Sequence, residues 1–271
     1  MQKVFNLTNK YIILATPLIL FSLITTIYIA GTANGKVITM LIALVLFTLM
    51  TGAFIAGWFN MIKQAILDPD RDDPNSLIKD FPEGVGEYFL PSLGAILTIF
   101  IFTFILTTIS FLLGIHFIGD PGITAEALSK TIGNTEALKE LLASLSQEQL
   151  LKINLWNFLL MGTMMLSYLF LMLYMPAMFF KSKNPFMAFF ISLKDLFSKK
   201  FFLSLGIYFL IFVINAIISL FSALFSGMMI LYFFFTLINF YFLTISAVGL
   251  FYYYYHNFVK PQIGTLIDTE V

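Results

Sequence analysis

The chain has 271 residues, 59% hydrophobic and only 11% charged, with 33 phenylalanines, a composition outside the range of ordinary water-soluble domains. Lys and Arg balance Asp and Glu at 15 each, so there is no net basic field to collect nucleic acid, and no nucleic-acid partner is expected. Cysteine is absent, which removes disulfides, thiol catalysis and thiolate metal sites.

The apolar residues come in blocks long enough to cross a hydrocarbon core of about 30 Å, which takes about 20 helical residues. The predicted fold class is all-α: a polytopic transmembrane helical bundle of about six spans, read as one transmembrane domain over residues 1–271. The first block, 11–30, follows Lys3 and Lys10 and precedes the small residues Ala30, Gly31 and Ala33, as a signal peptide would. It is longer than the usual apolar region of roughly 7 to 15 residues, so a retained first span is expected. The second span, 37–59, carries overlapping small-xxx-small pairs, Gly52 with Ala56 and Ala53 with Gly57, suited to close helix packing. Trp58 near its end is expected to anchor an interface.

The connector 62–88 opens with Asp68, Asp70, Asp72 and Asp73, like a calcium loop. Asp73 stands where that loop needs glycine and Lys79 where it needs its bidentate Glu, so no metal is expected. Pro69, Pro74 and Asn75 make it a solvated turn instead. The third span, 89–118, has a Ser/Thr face of Thr103, Thr107, Thr108 and Ser110. The extracytoplasmic segment 119–152 holds a stripe of Leu138, Leu141, Leu142 and Leu145, then Ser146 and Gln149 spaced as a capping box for the fourth helix.

The fourth span, 153–180, contains Trp156 as an interfacial anchor and Ser167 as a polar exception. Pro17, Pro91 and Pro176 are positioned to kink their helices. In the connector 181–200, Phe186, Phe189, Phe190, Leu193, Leu196 and Phe197 recur at helical spacing, predicting an amphipathic interfacial helix capped by Asn184 with Pro185 in its first turn. The fifth and sixth spans, 201–224 and 228–254, each carry one amide, Asn215 and Asn239, at depths where an interhelical hydrogen bond is expected. Ser222 with Ser226, and Ala223 with Gly227, repeat the packing spacing. Tyr252, Tyr253 and Tyr254 read as an aromatic belt.

Basic residues near span ends resist translocation and set orientation. With the N terminus inside, Lys3, Lys10, Lys63, Arg71, Lys79, Lys181, Lys183, Lys194, Lys199, Lys200 and Lys260 are cytoplasmic, leaving Lys36, Lys130, Lys139 and Lys152 opposite. Both termini are therefore expected on the cytoplasmic side of a prokaryotic cell membrane, which puts His116 and His256 on opposite faces. The stretch from Ser76 (SLIKDFPEGVGEYFLPSLG) resembles that from Ser192 (SLKDLFSKKFFLSLG), and the shared orientation of the two implies a parallel internal repeat.

Span centres contain no ionisable residue, which argues against a proton-coupled pump, and no catalytic, phosphate-binding or dinucleotide motif occurs, so neither enzyme activity nor a cofactor is expected. The TGAFIAGWFNMI stretch, Thr51 to Ile62, the Pro- and Asp-containing connector, and Phe81, Gly84, Val85, Tyr88 and Pro91 resemble six-helix integral membrane protein families of prokaryotes. They are also loosely similar to the membrane domain attached to some glycerophosphodiester phosphodiesterases. The catalytic domain of those enzymes has no counterpart here, so the resemblance implies a layout and no activity. The expected role is a non-enzymatic scaffold, accessory subunit or membrane-organising factor, partnered by the bilayer and by other membrane proteins or a second copy. The alternative is a permease or lipid-handling protein for a neutral or lipophilic substrate, with a polar cavity of Asn215, Asn239, Ser167 and Thr107.

Overall fold

A backbone entering hydrocarbon must satisfy its own N–H and C=O groups, and a helix does so within one segment. The computed structural model describes residues 2–32, 37–124, 129, 131 and 134–261, and among these the regular structure is helical throughout. The helices are α1 (Gln2–Lys10), α2 (Ala15–Thr32), α3 (Val37–Leu67), α4 (Asp80–Phe117), α5 (Thr135–Ser144), α6 (Gln147–Leu171), α7 (Tyr174–Phe180), α8 (Pro185–Leu196), α9 (Phe201–Leu224) and α10 (Met229–Tyr254). Single turns of 3-10 helix, Ile12–Leu14 and Pro74–Lys79, and a π turn, Tyr255–Val259, complete the set.

Among the described residues, six stretches are long and apolar enough to cross a membrane: Ile12–Thr32, Ile38–Leu67, Pro74–Phe117, Gln147–Phe180, Phe201–Leu224 and Met229–Val259. Their outward faces carry large apolar side chains, with Ile38 74%, Phe202 83% and Ile230 85% exposed. Exposure on that scale requires a bilayer as solvent. The chain is a multi-pass membrane protein. Lys36 and Lys130, counted above for orientation, and Ala33 lie outside the described residues.

The chain forms two compact units, Met1–Thr98 with Phe170–Val271, and Ile99–Leu169. In the first, α1, α2, α3 and α9 pack on α10, α2 also packs on α3, and α7 packs on α3, α8 and α10. The expected small-residue packing on α3 is present and its partner is α4. A Cβ placed on Gly84 would lie 2.7 Å from the Ala56 carbonyl oxygen, and one on Gly57 would lie 2.7 Å from the Phe81 ring. Asn60, one turn beyond Ala56, donates from Nδ2 to the Asp80 carbonyl at 2.9 Å.

The helix ends follow local chemistry. Asn184 accepts from the Met187 N–H and Pro185 opens α8, as the sequence predicts. Asp73 accepts from the Asn75 N–H, so the acidic stretch is a capped turn. The fourth span, Gln147–Phe180, is interrupted between α6 and α7, next to the proline positioned to kink it. Pro176 has no N–H to offer the Met172 carbonyl four residues back, and the chain turns at Met172 and Leu173. Pro91, in contrast, sits within an unbroken α4.

In the second unit, Ser146 and Gln149 form the predicted capping box, with Gln149 N–H donating to Ser146 Oγ at 3.3 Å and Ser146 N–H to Gln149 Oε1 at 3.0 Å. Thr163 donates to the buried Ser110 hydroxyl at 2.7 Å, the Trp156 ring covers Gly114, and its indole N–H reaches the Gly119 carbonyl at 3.0 Å. Helix α5 buries none of its residues, and its leucine stripe is left partly exposed.

The close α3–α4 approach sets a paired expectation. Gly84→Ala forces backbone apart and destabilises by about 1 to 3 kcal/mol, whereas Gly86→Ala on the open face of α4, with nothing within 4 Å, is neutral or stabilising by up to about 1 kcal/mol. Thermal unfolding of the two variants in detergent compares them directly.

Candidate functional site

The two amides singled out in the spans of the first unit do not pair with each other. Asn215 is exposed on α9, and its Oδ1 faces the Ser219 hydroxyl of its own helix at 3.5 Å. Asn239 is half-buried on α10, and its Oδ1 has no partner among the described residues. No hydrogen bond joins them. In the second unit Ser167 is buried with an unpartnered hydroxyl, while Thr107 is exposed. At the end of α9, Ser222 bonds only to the Ile218 carbonyl, Ser226 is exposed, and Gly227 meets open space.

The aromatic anchors also need correction. Trp58 is buried at 6% exposure, and its N–H donates to the Leu14 carbonyl at 2.7 Å, because the 3-10 turn before α2 leaves that carbonyl needing a donor. Tyr253 and Tyr254 are buried too. The Tyr253 hydroxyl shares a hydrogen bond with Ser204 at 2.8 Å, and the Tyr254 hydroxyl donates to Asp195 Oδ2. Tyr252 is half-buried and stacks on His256.

These tyrosines belong to a polar layer at one end of the first unit. Lys181 pairs with Asp195 at 2.9 Å, Lys183 with Glu87 at 2.9 Å, and Arg71 with Asp80 at 2.8 Å. Lys63 donates to the Tyr88 hydroxyl at 2.7 Å, and Lys200 donates to the Asn257 side chain at 2.7 Å. Burial works against the Arg71 charge, but the Asp80 and Asp68 carboxylates outweigh it and hold the guanidinium pKa above its usual value. Most of these cations are neutralised by fixed partners, so the layer joins helices and is not itself a ligand site. The sequence reading used the basic residues for orientation and the tyrosines as a belt, and missed their pairing, which depends on contacts between distant segments such as Lys183 with Glu87.

A different feature has the form of a binding site. A cavity of about 840 Å³ opens beside α1, α9 and α10, within the size range of small-molecule sites. Its walls are apolar along most of its length, with Ile207, Ile211 and Ile214 from α9 facing Ile238, Phe242 and Ile245 from α10. From Ile238 to His256 the helix covers about 27 Å, a distance near the thickness of a hydrocarbon core. Polar groups gather at one end, where Tyr252, His256, Asn257 and Gln2 line it. Midway, the buried Ser246 hydroxyl has no partner among the described residues. Asn215, Asn239, Ser167 and Thr107 do not line this groove.

Helix α1 supplies one wall and was not foreseen. Its signal was present in Val4, Leu7, Thr8 and Tyr11, which recur at helical spacing and are all buried. No protein-family model matches this chain, and no curated protein or solved structure matches it either.

Asp195→Ala tests the polar layer, because it removes the partner of both Lys181 and Tyr254. The expected loss is about 3 kcal/mol or more, from the cost of leaving a part-buried cation unpaired. Denaturant unfolding in micelles measures it.

Proposed function

We propose that this chain is a non-enzymatic, multi-pass lipid-handling protein of a prokaryotic cytoplasmic membrane, which holds a lipophilic chain in the groove formed by α1, α9 and α10. The observation that carries this reading is the distribution of polarity in the groove, apolar over most of its length and polar at the Tyr252, His256 and Asn257 end. That distribution suits an amphipathic ligand lying parallel to the bilayer lipids. A water-filled path for a hydrophilic solute would need polar groups along its whole length. The absence of catalytic motifs and of ionisable groups in the span centres supports passive holding over chemistry. The likeness of the connector to the membrane domain of glycerophosphodiester phosphodiesterases is kept as part of this proposal, with no activity attached.

A second reading, an accessory subunit or self-associating scaffold, draws support from the exposed small residues Ser226 and Gly227 just beyond α9. The amphipathic character of α8 and the parallel repeat also remain proposals. Ala188, Ser192 and Leu196 form the buried side of α8, while Phe186 and Phe190 are exposed, as an interfacial helix would arrange them. The two repeat copies differ in form, since Ser76 to Gly94 runs into a continuous α4 whereas Ser192 to Gly206 turns between α8 and α9.

Native mass spectrometry of the full chain from mild detergent tests the primary reading. Wild type is expected to retain lipid, and Ser246→Phe, which fills the groove, is expected to lower retention about tenfold, equivalent to about 1.4 kcal/mol of lost contact, while keeping its unfolding temperature. A lipid-free mass for wild type overturns the reading. A mass carrying a second chain or another protein supports the scaffold instead.

Orientation has its own test, made simple by the absence of native cysteine. An impermeant maleimide is expected to label Ser226→Cys in intact cells and Lys199→Cys only after permeabilisation. The reverse pattern overturns the assignment of the termini to the cytoplasm.

A further inference from the structure

The polar end of the groove adjoins a second cavity of about 570 Å³. Tyr252 and His256 line both, so the two cavities share that wall. The second cavity is a basic basin, with Lys3 and Lys10 from α1 and Lys260 beyond the π turn, and Asp70 is the acid on its wall.

These lysines differ from those of the polar layer in how they are used. Lys181, Lys183 and Arg71 are matched to carboxylates. Lys10 donates to the Pro69 carbonyl at 2.8 Å, which satisfies a backbone group and leaves its charge uncancelled. Lys3 and Lys260 are exposed and make no ion pair among the described residues. The nearby Asp68 carboxylate is already engaged by Arg71 at 3.4 Å. His256 Nδ1 meets the Tyr252 carbonyl at 3.1 Å, and that contact requires the proton on Nδ1. The three lysines are the cations positioned to hold an anion.

Resting on the groove reading above, we infer that the occupant is an anionic phospholipid, with its acyl part between α9 and α10 and its phosphate among Lys3, Lys10 and Lys260. The charge balance of the basin, three lysines against Asp70, selects against zwitterionic headgroups. The apolar groove on the other side of that shared wall favours a lipid over a free anion. The location agrees with the orientation proposed above, since anionic headgroups attract basic clusters at the cytoplasmic surface.

The test uses the full chain in a neutral detergent, titrated with phosphatidylglycerol and with phosphatidylcholine of identical acyl chains, and separately with glycerol phosphate. Binding is read by native mass spectrometry for wild type, for the double variant Lys3→Gln with Lys260→Gln, and for Ser246→Phe. Wild type is expected to prefer phosphatidylglycerol. The double variant is expected to lose that preference by about 25-fold, from roughly 5-fold per lysine near a membrane surface, with phosphatidylcholine binding unchanged. Both lysines are exposed, so an unchanged unfolding temperature is expected to show that the fold is intact. Equal affinity of wild type for the two lipids, or a preference that survives the double variant, overturns the headgroup assignment and leaves the groove reading standing. Glycerol phosphate binding as tightly as the lipid also overturns it, in favour of a free-anion site. If wild type retains neither lipid, the groove reading fails and this inference with it. Loss of both lipids in Ser246→Phe alone supports both.

Discussion

Each main-chain N–H and C=O that enters hydrocarbon needs a partner from its own segment, and that requirement decides where this chain can be irregular. Several breaks in the first unit fall at one end of its helices, namely the turn before α2, the connector 68–73, the joint before α7, the turn between α8 and α9, and the π turn after α10, while the turn between α9 and α10 lies at the other. At several of them a long polar side chain reaches the freed carbonyl. Trp58 serves Leu14, Tyr11 serves Asp68, Lys10 serves Pro69, and Lys200 serves Asn257. At Leu14 the bond spares a buried carbonyl the cost of lying unpaired, which is larger than the bond's own net contribution.

The same requirement explains the composition of the polar layer. Tyrosine and lysine carry apolar stems or rings through the packed interior and deliver a donor at the tip. Tyr88 lies under Lys63 and against the Phe179 ring, and Tyr254 joins Asp195 while contacting Phe258. Tight burial is therefore concentrated where the backbone turns. Along α9 and the stretch of α10 from Ile238 to Gly249 the helices run regular and need no such partners. There the side chains leave space, and the groove occupies it.

Much of the layout was legible in the residues. Apolar blocks predicted six spans, Asn184 and Pro185 predicted the start of α8, Ser146 and Gln149 predicted the start of α6, and the small residues of α3 predicted a close helix contact. Each is a local signal, carried by length or by residues within a turn or two of one another. The site was much less legible. Asn215 and Asn239 were singled out because an amide in a span is conspicuous, yet neither lines the groove. The groove is built from isoleucines and phenylalanines that are indistinguishable in sequence from lipid-facing ones. Its polar end draws on Gln2, Tyr252, His256 and Asn257, which come together only when α1 packs on α10.

The sequence by itself determined the solvent, the six spans and the starts of α6 and α8, because hydropathy, capping and proline act through neighbouring residues and need no tertiary context. It could not decide which side chains face one another. Trp58 and Tyr254 have the composition of interfacial anchors and become interior ties, since burial depends on what packs over a residue from elsewhere in the chain. The pairing of Asp195 with Lys181 and Tyr254, the fit of Gly84 against Ala56, and the opening of a groove with a basic basin at its polar end were decided by tertiary structure alone. Each is a relation between segments that the linear order leaves apart.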